Sequence, residues 1–398
     1  MSLTQVLTPT STTYFNQESV SSFLTKHAGT KHSADKIVVN PATTTPPAST
    51  NNAPERDPSM VIYDDFVRPD ADKENTITVG GRKSLLAVVQ SKNIAKSLYD
   101  INNEQSYPVV ALSTLGDKVL SKPLYSFGGK SLWTKELETL LLHDIEGLPK
   151  LDMIVHSLKD MPTALPDGCI LGAITEREDP RDALIMKAGS SYTTLRDLPD
   201  GSVVGTSSIR RSAQLKRNFP NLKFESVRGN VQTRLAKLDD ANSKFSCIIL
   251  AIAGLNRLGL GHRVTSALDT PDMYYAVGQG ALGIEIRTKD VKIQKLLARI
   301  NHQESYLKCL AERALMRTLE GGCSVPIGVK TTFNEDKTTL KFDAIVVSVD
   351  GTEAVEESLE AQVTTAAEAE ALGQLMAQKL SDKGAKRILD AIHFDAIH

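Results

Sequence analysis

The chain has no run of apolar residues approaching the roughly 18–20 that a membrane-spanning helix requires. It has no N-terminal apolar stretch of the kind a secretory signal carries. It also lacks an excess of either charge: 46 lysines and arginines against 48 acids leave a net −2. That balance argues against a nucleic-acid binder, whose domains usually present a strongly basic face. Cysteine is scarce. Cys169, Cys247, Cys309 and Cys323 form no C-x-x-C pair and no zinc spacing, so they read as reduced thiols of an intracellular protein. No arginine precedes Arg56, and Glu18 and Asp35 interrupt the same stretch, which speaks against a mitochondrial transit peptide. What remains is an ordinary soluble composition, 41% hydrophobic and 24% charged, over 398 residues, long enough for two or three domains.

Residues 1–70 differ from the rest. They are rich in Ser, Thr, Asn and Pro, as in Pro41-Ala42-Thr43-Thr44-Thr45-Pro46-Pro47, and bury too little apolar area to offset chain entropy, so a disordered extension is expected. From Thr76 strands and amphipathic helices alternate. Strands are expected at Ile77–Gly80, Tyr107–Leu112 and Leu151–His156. Helices are expected over Leu85–Leu98, with Lys92 turned outward, and over Leu132–Ile145. A second block repeats the style between Asp182 and Asp269, with strands at Ala183–Met186, Ser202–Gly205, Leu222–Val227 and Cys247–Ala251. Alternation of this kind implies α/β domains with largely parallel sheets. Past Cys323 a half-exposed strand over Leu340–Val349, a turn at Asp350-Gly351 and an alanine-rich helix over Ala366–Leu380 suggest a small α+β unit. The expected division is residues 75–178 with 277–300, then 179–275, then 301–398.

Two strand-to-helix junctions hand out arginines: Gly205-Thr206-Ser207-Ser208-Ile209-Arg210-Arg211 and Val227-Arg228-Gly229-Asn230-Val231-Gln232-Thr233-Arg234. A helix start exposes unpaired N–H groups and the positive end of its dipole. Arginine adds planar forks that match carboxylate or phosphate oxygens two at a time. Surface arginines paired with local acids are the plain alternative, but two such junctions in a near-neutral chain favour a polyanionic ligand. Arg234 sits beside the apolar face of Val231, Leu235 and Leu238, about 60° from Val231 at 3.6 residues per turn, a position that suits lining a cleft. Arg82-Lys83-Ser84, after the first strand, is a third strand-end anion site, with Ser84 able to cap the next helix.

The candidate acid is Asp160, in Val155-His156-Ser157-Leu158-Lys159-Asp160-Met161-Pro162. A buried strand there runs into a turn at the carboxyl edge, where open α/β sheets bind ligands. A carboxylate there can accept an N–H, move a proton or stabilise a developing cation; it could equally cap a local turn. Lys130 in Gly128-Gly129-Lys130-Ser131 is no phosphate loop, because Leu124 occupies the position of the required glycine. Cys323 lies in Glu320-Gly321-Gly322-Cys323-Ser324, a bent loop that is an odd home for a packing thiol and leaves it available for covalent attachment.

Taken in order, these runs resemble the hydroxymethylbilane synthase (porphobilinogen deaminase) family. Further matching runs are Thr114-Leu115-Gly116-Asp117, Lys135-Glu136-Leu137-Glu138, Arg177-Glu178-Asp179-Pro180-Arg181-Asp182 and Gly278-Gln279-Gly280. The resemblance runs from about residue 76 to the end and is weakest after about residue 330. It implies two periplasmic-binding-protein-like α/β domains with the cleft between them, plus a small C-terminal α+β domain. It also implies a dipyrromethane cofactor on a thioether to Cys323, onto which four porphobilinogen units are joined with loss of ammonia. By motif match Asp160 would be catalytic, and Lys159, Thr206, Ser208, Arg210, Arg211, Arg228, Arg234 and Gln279 would hold cofactor and substrate carboxylates. Arg82 and Ser84 would bind the incoming substrate. The family further suggests a cytoplasmic monomer with no nucleic-acid or membrane partner. Ser121, Trp133 and Gly81 depart from the usual Asp, Phe and hydroxylated residue, and leave the core chemistry untouched. The rival reading is a non-enzymatic two-domain binding protein for a polycarboxylate or phosphate, which leaves Cys323 unexplained.

Overall fold

The computed structural model of the protein describes residues 12–14, 60–113, 134–319 and 325–392. Strands β1 (Thr12–Tyr14), β2 (Met60–Tyr63), β3 (Val79–Arg82), β4 (Val109–Leu112), β5 (Met153–Ser157), β6 (Cys169–Ile174), β7 (Asp182–Met186), β8 (Val203–Gly205), β9 (Lys223–Glu225), β10 (Phe245–Ala251), β11 (Ser266–Leu268), β12 (Leu282–Arg287), β13 (Ile327–Phe333), β14 (Thr339–Val347) and β15 (Ala354–Gln362) fall into three sheets. The described helices are α1 (Leu85–Ile101), α2 (Lys135–Leu142), α3 (Ile209–Asn218), α4 (Val231–Asp239), α5 (Ile252–Arg257), α6 (Val291–Leu297), α7 (Gln303–Thr318), α8 (Ala366–Asp382) and α9 (Ala385–Asp390).

The first sheet runs β1-β2-β4-β3-β5-β12-β6 and the second β11-β7-β10-β8-β9. All four residues of β4 are buried, as expected of an apolar run covered on both faces. Ile77, Val79, Ile94, Leu98, Tyr107 and Val109 form one core beneath α1; fully burying each such side chain contributes about 1.5–3 kcal/mol. The third sheet, β13-β14-β15, is antiparallel throughout and packs on α7 and α8 through Leu315, Phe342, Leu372 and Met376. Helix α8 starts on a Thr365–Glu368 capping box, and Gly384, at φ 98°, turns the chain into α9. The hairpin before β15 closes at Gly351, at φ 82°.

Three expectations need correction. The first two sheets are mixed rather than largely parallel. β3 runs parallel to β4 and β5, and β8 to β9 and β10, but β12 inserts antiparallel between β5 and β6, and β7 lies antiparallel to β10. β12 returns to the first sheet after the whole second sheet has been built, so local alternation carries no trace of its direction. Second, the disordered extension expected over residues 1–70 is wrong at its end. Met60–Tyr63 is a strand on the edge of β4, with Met60 fully buried, and Thr12–Tyr14 pairs outside it. Four apolar residues are too short a run to show periodicity, and the open sheet edge supplies what they lack alone. Residues 1–11 and 15–59 lie outside the described residues. Third, Lys92, expected to turn outward, turns inward: it is 6% exposed.

Candidate active site: cationic strand ends around Asp182 and Asp160

Four strand ends present the residues singled out in the sequence. After β3 the Lys83 N–H donates to the Leu112 carbonyl at 3.0 Å, and the Ser84 hydroxyl caps α1 by accepting from the Ala87 N–H at 3.4 Å. Arg82 is the last residue of β3, which neighbours β5 in the sheet. After β5 a single 3-10 turn, Leu158–Asp160, buries Leu158 and leaves Lys159 half-buried and Asp160 exposed.

At β8 the strand ends on Gly205, where any Cβ would lie 2.8 Å from Ile248. The buried Thr206 accepts the Ser208 N–H at 3.2 Å, and Ser208 caps α3 by accepting the Arg211 N–H at 3.4 Å. At β9 Asn230 caps α4 through the Thr233 N–H at 2.8 Å. Gly229 takes φ 119°, which a side chain would strain. The Arg234 Nε donates to the Gly229 carbonyl at 2.7 Å, which pins that guanidinium against the junction.

What the structure adds is Asp182, fully buried at the start of β7. Its Oδ2 accepts Arg210 Nη2 at 2.8 Å. Its Oδ1 accepts Arg211 Nε at 3.0 Å and Nη2 at 2.8 Å. Gln279 Nε2 donates to the same oxygen at 2.9 Å and to the Pro180 carbonyl at 2.7 Å. Burial alone would raise the Asp182 carboxyl, but the two guanidinium groups and Gln279 outweigh it and hold it well below the usual carboxylate range. Arg210 also donates to the Tyr274 carbonyl, and Arg211 Nη1 to the Ile249 carbonyl at 2.9 Å. Both arginines therefore have protein partners within this knot.

Lys159 and Arg234 are differently placed. Burial pushes the Lys159 ammonium down to about 8; Arg211 and Arg210 add to that, while Asp160 and Asp182 pull the other way. Its Nζ donates to Gln279 Oε1 at 3.3 Å. Burial, then Arg211 and Arg228, bring Arg234 down to about 10, with Asp160 opposing. Among the described residues no carboxylate stands within ion-pairing distance of either group. This wall of half-buried cations fits a ligand carrying several carboxylates, and the dipyrromethane group with its acetate and propionate arms is such a ligand.

Residues without an assigned role in the sequence reading complete the surroundings. Arg177 makes a two-pronged ion pair with the fully buried Glu312 of α7 (2.6 and 3.0 Å) and donates to the Gln279 carbonyl at 2.7 Å. Glu312 also accepts the Gly278 N–H at 2.8 Å and the Thr331 hydroxyl at 2.6 Å, tying the Gly278–Gly280 turn to the third sheet. Gly280 takes φ 89°, and a Cβ there would lie 2.3 Å from the Glu178 carbonyl oxygen. Arg257, lowered by burial, donates to the Gly280 carbonyl at 2.6 Å. His156, just ahead of the Leu158–Asp160 turn, meets the buried Glu285 at 2.8 Å. Asp182 and Arg177 stood in the sequence only as members of the matching run Arg177–Asp182, with no role attached, and Asp182 also as an acid opening a strand of four apolar residues; Glu312, Arg257 and Glu285 carried no signal. Cys323, Lys130, Ser121 and Trp133 lie outside the described residues.

Fold and site together define an α/β protein whose strand ends gather half-buried cations. Residues 77–295 match the family model "Porphobilinogen deaminase, dipyromethane cofactor binding domain", and residues 306–382 match "Porphobilinogen deaminase, C-terminal domain". A porphobilinogen deaminase of Yarrowia lipolytica is 63% identical over 321 residues, 81% of this chain and 94% of that protein. One from Saccharomyces cerevisiae is 57% identical over 323 residues, 81% of this chain and 98% of that protein. Among solved structures, the alkanesulfonate-binding protein SsuA from Xanthomonas axonopodis pv. citri bound to MOPS is 11% identical with TM-score 0.35, covering 80% of this chain and 96% of that one. The chain belongs to the porphobilinogen deaminase (hydroxymethylbilane synthase) family, transferases of tetrapyrrole synthesis, and carries that family's dipyrromethane cofactor-binding domain. This favours the enzymatic reading over the rival binding protein. No helix of the described residues is long and apolar enough to cross a membrane.

Proposed function

We propose that this chain performs its family's reaction: stepwise head-to-tail joining of four porphobilinogen molecules with loss of ammonia, then hydrolytic release of the linear tetrapyrrole. The observation that carries this reading is the pair of half-buried cations Lys159 and Arg234 near Asp160, each lowered by burial and by Arg211, with no carboxylate of the described residues within ion-pairing distance. Each pyrrole unit brings an acetate and a propionate, so a growing chain is a ladder of carboxylates. Lys159, Arg228, Arg234, Thr206 and Ser208 would hold those of the bound chain, and Arg82 and Ser84 those of the incoming monomer. Arg210, Arg211 and Gln279 act in the same cleft, anchored through Asp182.

Asp160 is the proposed catalytic residue. An exposed carboxylate beside cationic walls can accept a pyrrole N–H. It can then stabilise the azafulvenium that porphobilinogen becomes on losing ammonia, and carry away the proton released when the new bond forms. When bound, the dipyrromethane supplies the free pyrrole carbon at which the first unit joins. Its attachment falls to Cys323. Cys169, Cys247 and Cys309 are buried, and desolvation pushes each thiol up to about 12, so none of the three offers a thiolate near neutral pH.

We further infer three domains with the boundaries given above, except that Thr12–Tyr14 and Met60–Tyr63 join the first domain's sheet, and a monomer acting in the cytoplasm on porphobilinogen without nucleic-acid or membrane partners. Intact mass spectrometry tests the core of the reading. The purified chain should exceed its sequence mass by one dipyrromethane, and Cys323→Ser should lose both that mass and hydroxymethylbilane formation. An unmodified chain with full activity would overturn it.

A further inference from the structure

The segment just ahead of the family-matched region, which begins at residue 77, makes contacts that a mere leader would not. Met60–Tyr63 adds a strand to β4 in antiparallel register, with Met60 opposite Leu112. Beyond it the chain crosses helix α1. Asp65 Oδ2 lies 2.8 Å from Lys92 Nζ, and Lys92 also sits 4.3 Å over the Tyr63 ring. The Phe66 ring lies 6.1 Å from that of Tyr99, and the Phe66 carbonyl accepts the Tyr107 N–H at 2.8 Å. The Arg68 N–H donates to Ser106 Oγ at 2.9 Å. Residues 60–68 therefore clasp β4 and α1 together.

Those two elements frame the site. Leu112, the strand partner of Met60, accepts the Lys83 N–H at 3.0 Å. Helix α1 begins on Ser84, and its Gln90 donates to Ser157 Oγ at 2.9 Å, three residues before Asp160. Lys92, two residues past Gln90, is a buried ammonium whose nearest anion comes from the clasp. A buried charge stripped of its partner is costly, so helix and clasp are held in one register.

We propose that residues 60–68 are a positioning strap: the Asp65–Lys92 pair sets the seat of α1, and through it the geometry of Arg82 and Ser84 for the incoming substrate. The proposal rests on the function above for its kinetic consequence, while its structural half stands alone. The test is a double-mutant cycle in the full chain with Asp65→Asn, Lys92→Met and both together, reading melting temperature, KM for porphobilinogen and kcat. Asp65→Asn is expected to lower Tm by roughly 5 °C and to raise KM about 3–10-fold with kcat within about twofold, since tenfold corresponds to only about 1.4 kcal/mol of positioning. The double variant should recover most of the Tm because no buried charge is left alone, and Lys92→Arg should keep KM near wild type. A Tm loss with KM unchanged would reduce the strap to packing and overturn the positioning role. Additive single effects would overturn the pairing itself. If the wild-type chain forms no hydroxymethylbilane, the functional reading fails, and the Tm cycle still decides the clasp.

Discussion

Two groups of cations lie side by side in the cleft, and they differ in one respect. Arg210 and Arg211 share the fully buried carboxylate of Asp182, reinforced by Gln279, so their charge is answered inside the protein. Lys159 and Arg234 are half-buried, stand within reach of the same guanidinium groups, and are pushed down to about 8 and about 10. An answered charge builds a scaffold; an unanswered one is a demand for a ligand. Family resemblance assigned both groups the same carboxylate-holding role. The geometry gives the knot the further task of fixing the start of α3 against β7 and β10.

The largest expected effect comes from breaking the knot. Asp182→Asn keeps the shape but leaves two buried guanidinium groups without their anion, which should cost roughly 3–5 kcal/mol of stability. Chemical denaturation reads this directly, and an undiminished midpoint with reduced substrate affinity would move Asp182 from scaffold to binding. Arg234→Leu should do the reverse. Stability should hold or rise slightly, because a depressed, desolvated cation is removed. Affinity for a polycarboxylate should drop about tenfold or more, the scale of one lost charge-assisted pair. Isothermal titration with uroporphyrin-type carboxylates would measure it, and unaltered affinity would return Arg234 to a structural role.

The smallest effect sharpens the contrast through pH. The folded Lys159 value of about 8 lies below its ordinary 10.5. Below about pH 8 the lysine is charged in both folded and unfolded states, and the folded state bears the cost. Between about 8 and 10.5 the folded form releases its proton first, so stability rises across that window. Substrate grip should move the opposite way, with KM for porphobilinogen climbing above about pH 8 as the ammonium neutralises. Lys159→Arg, which stays charged, should extend the plateau. Steady-state kinetics from pH 7 to 9.5 check this, and identical profiles for the two proteins would exclude Lys159 from binding.

Much of this site could be read along the chain. Ser84, Ser208 and Asn230 cap the helices at the junctions where their short polar side chains stood in the sequence. Arg234 also lies at the edge of its helix's apolar face. The Leu158–Asp160 turn follows β5 because an apolar strand must end where Lys159-Asp160-Met161-Pro162 begins. These features depend on neighbours within a few residues, so a linear reading reaches them. Lys92 shows the limit: helical spacing alone turned it to solvent, and an acid from the supposedly disordered leader drew it inside.

The sequence by itself determined most elements past Thr76, the arginine-bearing junctions and the family, because each is written in short-range pattern or in ordered runs. Tertiary structure alone decided which charges answer one another. Asp182 finds Arg210 and Arg211 from 28 and 29 positions away, Arg177 finds Glu312 from 135, and β12 returns to split β5 from β6 after the second sheet is complete. Pairing a charge in a desolvated interior depends on distances of about 3 Å between groups far apart in the chain, and only the packed fold sets those distances.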